Sequence, residues 1–550
     1  MNILNTLTIG ERKKIYLILA FTSLILFFLA VWQVRPVIVE PSAPLGLASY
    51  LPVTYWIGFA LIMITGVLAV LDKELKKDIV FFIILLAVGL FIFGIRVFLY
   101  ECAQDTDSYY PISIVYQLIR GHHLDIMNSP TLVSYYYWPA LHFISASLLM
   151  ITKVDLLEIM KYTPIFWIPS FILITYGIGK QLKLSMDRCF LLSILALSAW
   201  WLSFSGFYYP RLIAVMFFLI ILMISLTPKT TISQSIVVII LSIALIISHG
   251  EIAIATMLGL ILLSLYRHEY GLALIFIVIL GAWYIFEASA SLDYGIKYLL
   301  NFFRDAVSMT ETQRYDTPFT STGRLVARYS QLLNMVLIGI FTIYSLLLLL
   351  WHKIEQQNAG KVKALFAWGI GVALFVVFGM TQAITRTYIT CIVPAVAIII
   401  VSFPIKKLLV TLMCVFICLS LFVNYASLAG FGQVSTASLS GAKFFALQMK
   451  PNNYFSLFDS KESLYFDPDL MIITASNPPN TGAVSLHTAD ISNLDKYHYV
   501  VVSQDYSNAL ISAWGQDPYS IWSQIGVGKL SNFLYNNGLF QIYQNNNIQK

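Results

Sequence analysis

"IVFFIILLAVGLFIFGIRVFLYECAQDTDSYY", Ile79 to Tyr110, carries two messages in one stretch. Most of it is an apolar run of the length that crosses a bilayer, about 20 residues in a helix rising 1.5 Å per residue. The run ends in a polar loop with two carboxylates, Asp105 and Asp107, two residues apart. A helix soluble only in lipid therefore delivers acids to its own end, and any chemistry they perform lies at a membrane surface.

The rest of the chain repeats the apolar theme. Of its 550 residues 58% are hydrophobic and only 11% are charged, and the mean hydropathy is +0.77. Such a chain has too little polar surface to face water all round. Apolar stretches recur from Ile15 to Asn424, whereas the remainder to Lys550 is rich in Asn, Ser and Asp. The expected fold is a polytopic α-helical membrane protein carrying a small C-terminal α/β domain outside the lipid. The first apolar run follows "ERKK" and has no small-residue cleavage site, so it is expected to stay as an anchor.

Four of the five cysteines (Cys189, Cys391, Cys414, Cys418) lie inside apolar runs at no metal-binding spacing, as small core residues do. The fifth, Cys102, adjoins the acidic loop. The net charge of +6 is spread over connecting loops. With no dense basic stripe and no interleaved aromatic platform, nucleic acid is excluded as a partner.

The distribution of Lys and Arg orients the helices, because short basic loops stay cytoplasmic. "ERKK", "DKELKKD", "GKQLKLSMDR", "PKTT", "YRHEY", "HKIEQQNAGKVK" and "FPIKK" are consistent with one side if the spans run Ile15–Val34, Thr54–Leu71, Ile79–Leu99, Tyr162–Gly179, Cys189–Phe207, Leu212–Leu226, Ser235–Ser248, Ile252–Tyr266, Gly271–Glu287, Leu333–Trp351, Val362–Thr381, Tyr388–Val401 and Lys407–Asn424. About thirteen spans, an odd number, place the N-terminus in the cytoplasm and the C-terminal domain outside. The count leaves "WPALHFISASLLMI", Trp138 to Ile151, out of the bilayer. At about 14 residues it is short for a span, and it is expected to lie in the outer interface with Tyr135, Tyr136, Tyr137 and Trp138 at headgroup depth. Those aromatics are an interface belt or a substrate contact. "SYYPISIVYQLIRGHHL" has the apolar spacing of a second surface helix through Ile112, Val115, Leu118 and Ile119.

The acidic loop is thus expected outside, at the lipid surface. In extended backbone, residues i and i+2 point the same way, so Asp105 and Asp107 can converge on one metal ion or one incoming nucleophile. A divalent cation, magnesium or manganese, is the cofactor such a pair would take. Asp107 also precedes a helix, where a plain N-capping role would suit it. Other ionisable residues fall at helix ends on the same expected side. His249 and Glu251 flank Gly250 in a very tight turn, as a hydrogen-bonded pair closing it or as substrate contacts. Arg211, after Pro210 at a helix start, is poorly placed for a cation, and either snorkels to a headgroup or holds an anion.

The order of features "DTDSYYPISIVYQLIRGHHLDIMNSPTLVSYYYWPALHF" resembles the GT-C superfamily of membrane glycosyltransferases, among them protein mannosyltransferases, aminoarabinose transferases and oligosaccharyltransferases. These have an outward loop with an essential acid, a surface helix, a Gly, and an aromatic and Pro step into a second surface helix. Where relatives have His-Pro-Pro or Lys-Pro-Pro, this chain has "YWPALHF", with Tyr137, Trp138 and His142 at the step. "SGFYYPRLIA", "ISHGEIAIA" and "TRTYITCIVPAVA" also stand where the resemblance places functional segments. The last is similar to the Arg-aromatic then Pro pattern that holds a lipid phosphate in relatives, and points to Arg386 with Tyr388 beside it.

The resemblance covers about residues 79–424, which leaves 1–78 as a two-helix extension and 425–550 as the outer domain. It implies sugar transfer from a polyprenyl-phosphate-linked donor in the membrane lipid to an acceptor on the outer face, with Asp105 or Asp107 as base and Arg386 receiving the leaving phosphate. The long outward stretch Ala288–Gln331, with Arg304, Arg314, Arg324 and Arg328, suits a lid over that phosphate. Two other classes stay open. A transporter or flippase for a lipid-linked or anionic solute would line its path with Glu287, His249 and Arg386, and would show internal repeats and broken helices. A noncatalytic scaffold would tolerate changes in the acidic loop. In the outer domain, "LMIIT" and "YVVVSQ" read as strands and Asn537-Gly538 as a turn into a final strand.

Overall fold

The computed structural model of the chain describes residues 8–40, 43, 45–72, 74–75, 77–104, 108–121, 137–199, 208–227, 231–289, 322–375, 383–426, 434–448, 454–456, 499–503, 532–536 and 540–544. The described parts of the expected spans are helical: α1 (Ile9–Val34), α2 (Val53–Leu71), α3 (Asp78–Leu99), α6 (Leu156–Gln181), α7 (Met186–Ala199), α8 (Pro210–Ser225), α9 (Ile232–Ile246), α10 (Gly250–Arg267), α11 (Gly271–Phe286), α12 (Thr322–Leu350), α13 (Gln356–Ala373), α14 (Ala383–Ser402) and α15 (Lys406–Ala426). Between α3 and α6 lie the two surface helices, α4 (Tyr109–Gly121) and α5 (Ala140–Thr152). Among the described residues seven helices are long and apolar enough to cross a membrane, α1, α2, α3, α6, α10, α12 and α15. The chain is a multi-pass membrane protein.

Among the shorter apolar helices are α8, α9 and α11, at 16, 15 and 16 residues. At 1.5 Å per residue, 15 residues rise about 22 Å, some 8 Å less than a 30 Å hydrocarbon core. With its other end at a lipid surface, α9 would leave the turn to α10, which carries His249, short of the opposite surface. Helix α5 leaves Phe143, Ile144, Leu148, Met150 and Ile151 exposed along one face, the apolar side of an interfacial helix.

Packing in the bilayer relies on small residues and on hydrogen bonds to carbonyls. Gly371 of α13 meets α10 so closely that a Cβ there would lie 2.8 Å from the Gly259 Cα. Helix α3 opens into a π-helical stretch over Leu90–Gly94. The Phe91 carbonyl accepts from the Tyr55 hydroxyl of α2 at 2.7 Å and from the Tyr425 hydroxyl of α15 at 2.5 Å. The second and the last helix are thereby both fastened to the third.

The two ends of the bundle differ in chemistry. At one end the basic loops are wired to one another. Arg12 pairs with Asp72 and Glu74, Lys180 with Asp78, and Lys406 with Asp187. Arg267 donates to the carbonyls of Ser225, Leu226 and Thr227, and Gln181 to the Thr227 hydroxyl. The loops expected to share one side do share one end. At the other end α4, α5, the start of α6, Tyr208 and Val434 form a second, smaller core. Beyond it come α16 (Thr436–Gln448) and strands β1 (Tyr454–Ser456), β2 (Tyr499–Ser503), β3 (Asn532–Asn536) and β4 (Phe540–Gln544), in the order β1-β2-β4-β3. Strands β1 and β2 are parallel and the other pairs antiparallel, so β3 and β4 flank the expected Asn537-Gly538 turn. That turn, and "LMIIT", lie outside the described residues.

Candidate functional site

Asp105 and Asp107 lie outside the described residues, but the residues on either side of them do not. Gln104 and Ser108 form a neck: the Ser108 hydroxyl donates to the Gln104 carbonyl at 3.4 Å and accepts from the Tyr208 backbone N–H at 3.1 Å. The Gln104 side chain donates to the Cys102 carbonyl at 2.7 Å and accepts from the Val434 N–H at 3.3 Å. Ser108 is fully buried and Gln104 nearly so. The neck thus meets Tyr208, at the step into α8, through Ser108, and Val434, at the entry to the C-terminal module, through Gln104.

Helix α5 links this neck to the turn that carries His249. Its Ala140 N–H donates to the Ile247 carbonyl at 3.2 Å, and its Ser145 hydroxyl bonds the Tyr208 hydroxyl. The five-residue separation of those anchors is about 7.5 Å along the helix axis. In front of Ala140 the Trp138 ring packs edge-on to Tyr284, centroids 5.8 Å apart. Both rings close on Gly250, where a Cβ would fall 2.6 Å from the Tyr284 hydroxyl and nearer still to the indole. Gly250 is required there because nothing larger fits under two aromatic rings.

The sequence-predicted residues are distributed as follows. His249 is the N-cap of α10 and Glu251 stands in its first turn, where the positive end of the helix dipole favours a carboxylate. Arg211 occupies the first turn of α8 with its guanidinium 5.8 Å over the Tyr209 ring, a cation–π contact that offsets the unfavourable dipole. Tyr137 is buried, and burial raises its phenol above the ordinary value. His142 is fully buried in α5. Tyr388 donates to the Ala199 carbonyl at 3.1 Å, tying α14 to the end of α7. Arg386 is in α14, but its side chain lies outside the described part, as do Arg304, Arg314 and the side chain of Arg324. Helix α14 also packs on α8 and α10, the helices that start with Arg211 and with Glu251.

Sequence reasoning missed several members. Tyr208 is 1% exposed and its phenol is pushed far up by burial, so it stays protonated as a donor. Tyr100, at the other entry to the acidic loop, is pushed up to about 12 by burial. Arg96 and Lys161 are cations with only 5% and 6% exposure near the same end of the bundle. Lys161 stands 5.0 Å over the Tyr162 ring. A charge inside an apolar run was the available signal for both. Among the described residues no group of three His, Cys, Asp or Glu is arranged to hold a metal ion. The two acids expected to bind one are outside that set, so no step below is routed through a metal.

The sequence matches no protein-family model and no curated protein sequence. Solved structures do match the fold. The Archaeoglobus fulgidus oligosaccharyltransferase tethered with an acceptor peptide containing the NVT sequon is 13% identical, with a TM-score of 0.50 over 86% of this chain and 74% of that one. The archaeal oligosaccharyltransferase AglB from the same organism, in complex with an inhibitory peptide and a dolichol-phosphate, is 14% identical with a TM-score of 0.48 over 85% and 74%. ArnT from Cupriavidus metallidurans is 12% identical with a TM-score of 0.46 over 85% and 97%. The chain shares its fold with the Archaeoglobus fulgidus oligosaccharyltransferase, an architecture of the kind that the order of its loops resembled. At these identities the likeness is one of fold.

Proposed function

We propose that the chain is an integral-membrane glycosyltransferase moving a sugar from a polyprenyl-phosphate-linked donor to an acceptor at the outer face of the membrane. The observation that carries this reading is the convergence, at one end of a GT-C-type bundle, of the acidic-loop neck, the "FYYPR" step, the surface helix α5 and the His249–Glu251 turn. The wired basic loops at the opposite end support a cytoplasmic assignment for that end by the positive-inside rule, which puts the acidic loop and the C-terminal module outside.

In this reading residues 79–424 are the transfer unit, 1–78 an extension, and 425–550 a module for the acceptor or for capping. Asp105 or Asp107 removes the proton from an acceptor hydroxyl or amide as its oxygen or nitrogen bonds to the anomeric carbon. The bond from that carbon to the phosphate oxygen breaks, and the lipid phosphate leaves with the electron pair. The Arg386 guanidinium meets the developing charge, its fork matched to two phosphate oxygens. A divalent cation shared by the two acids, if resident, supplies further charge neutralisation. His249, Glu251, Arg211, Tyr388, Tyr137 and His142 are the candidate substrate contacts in this reading. A donor with an isoprenoid tail suits this site, since its tail remains among apolar helices while its phosphate reaches the turn.

The test is transfer by purified protein in lipid nanodiscs, with a radiolabelled polyprenyl-phosphate sugar and a mixed acceptor pool. Asp105→Asn combined with Asp107→Asn is expected to lower the rate at least ~100-fold, the ordinary contribution of a positioned base. Transfer at the parent rate by that double variant would dispose of the assignment.

A further inference from the structure

Arg96 is a cation that the fold encloses without compensating. It lies in α3 and is 5% exposed. Among the described residues no carboxylate pairs with it, and its Nη2, cut off from solvent, meets no hydrogen-bond acceptor. The acidic groups that face its charge are the phenols of Tyr100 and Tyr425. A phenol is neutral at neutral pH, and the Tyr425 hydroxyl already donates to the Phe91 carbonyl. A buried guanidinium with no counter-charge is costly in protein and in lipid alike.

Its place in the fold indicates what supplies that counter-charge. Helix α3 has 22 residues from Asp78 to Leu99, about 33 Å, so its ends stand at the two surfaces of a ~30 Å hydrocarbon core. Arg96 lies about 4.5 Å along the axis from the Leu99 end, a depth from which so long a side chain reaches lipid phosphates. The connection from α1 to α2 folds over that end. Its Val37 N–H donates to the Leu99 carbonyl at 3.2 Å, its Leu47 and Leu51 are buried, and its Gly46–Tyr50 turn packs on α15. Arg96 and Tyr100, at 5% and 6% exposure, keep a narrow opening in this cover.

We propose that Arg96 is the centre of a binding site for one phosphate group, roofed by the connection between α1 and α2. The guanidinium fork matches two phosphate oxygens, and the Tyr100 phenol faces it. A lipid headgroup and free inorganic phosphate share this chemistry. A phosphate held there ties the two-helix extension to α3, and the site stands whether or not the chain transfers sugar.

The experiment uses the full chain in dodecyl maltoside, a detergent without phosphate, beside Arg96→Met, which keeps length and removes the charge, and Arg96→Lys, which keeps the charge and removes the fork. The probes are dioleoylphosphatidylglycerol, dioleoylglycerol, which has the same chains and no phosphate, and sodium phosphate. Native mass spectrometry is expected to show one phosphatidylglycerol held by the parent at least ~10-fold more tightly than by Arg96→Met, the usual loss of a charge-assisted pair, with Arg96→Lys between them. Dioleoylglycerol is expected to bind all three alike. A hundredfold excess of phosphatidylglycerol over Kd is expected to raise the thermal midpoint of the parent by about 2 °C and to leave that of Arg96→Met unmoved. A midpoint raised by sodium phosphate in the parent but not in Arg96→Met, with phosphatidylglycerol silent, makes free phosphate the source and supports the site. Equal responses of the parent and Arg96→Met to both phosphate probes overturn it. So does a parent that holds phosphatidylglycerol no better than dioleoylglycerol and ignores sodium phosphate, an outcome that needs no variant to fold.

Discussion

Replacing Gly371 by Ala tests the helix packing that supports the turn carrying His249. In a helix interior the change is intrinsically favourable by about 0.8–1 kcal/mol. At Gly371, however, the new Cβ would stand 2.8 Å from the Gly259 Cα of α10, and closer to the Leu258 carbonyl oxygen. These are backbone atoms, which cannot rotate away. Restoring the 3.4 Å of ordinary contact requires α10 and α13 to give by about 0.6 Å at the Gly259 Cα and about 1.1 Å at the Leu258 carbonyl oxygen, which is 2.3 Å from the Cβ position. Overpacking of this kind costs about 1–3 kcal/mol, and a clash with backbone belongs at the upper end. Gly369, two residues away on the same helix, is the internal control, because a Cβ there meets only Pro394 Cβ at 4.0 Å. Gly369→Ala is therefore expected to stabilise by up to ~1 kcal/mol and Gly371→Ala to destabilise by about 2. A gap of about 3 kcal/mol corresponds to roughly 3 °C in the midpoint of a chain this long. The assay is thermal unfolding in detergent followed by tryptophan fluorescence, to which Trp368, packed 3.1 Å from the Cβ position of Gly259, contributes. Because α10 begins at Gly250, its displacement is also expected to slow transfer ~10-fold. Equal midpoints for the two alanine variants would refute the close approach of α10 and α13.

Three further outcomes are expected. Arg267→Met removes three bonds to the carbonyls that end α8 and is expected to cost about 1.5–3 kcal/mol, measured by the same thermal assay. Tyr208→Phe is expected to cost only about 1 kcal/mol because Ser145 keeps its bond to the Leu141 carbonyl at 2.8 Å, whereas Ser145→Ala strands a buried phenol and costs more; equal losses would argue against the pair. Lys406→Met leaves Asp187, 17% exposed, without its 2.8 Å partner, and is expected to destabilise by about 2 kcal/mol, with recovery on adding Asp187→Asn in a double-mutant cycle.

The sequence by itself determined the solvent, the helical segments and the sorting of the loops. Lipid demands long apolar runs with internally satisfied backbone, so the spans from Ile15 to Asn424 were legible as composition. Lys and Arg marked the loops of one end because charge is costly in hydrocarbon, and the salt bridges of Arg12, Lys180 and Lys406 join loops so marked. The surface helices α4 and α5 and the tight turn at Gly250 were likewise visible, from run length and from two spans with nothing between them. Only the tertiary structure decided which outer segments meet. Tyr208 on Ser108, Val434 on Gln104, Ala140 on Ile247, and Trp138 with Tyr284 over Gly250 are pairings across long stretches of chain. They are made by polar side chains to backbone, by a backbone–backbone bond and by rings against a glycine, interactions that leave no periodic trace. Inside a bilayer a helix face that touches protein and one that touches lipid are both apolar, so the pattern that betrays a neighbour in water is absent.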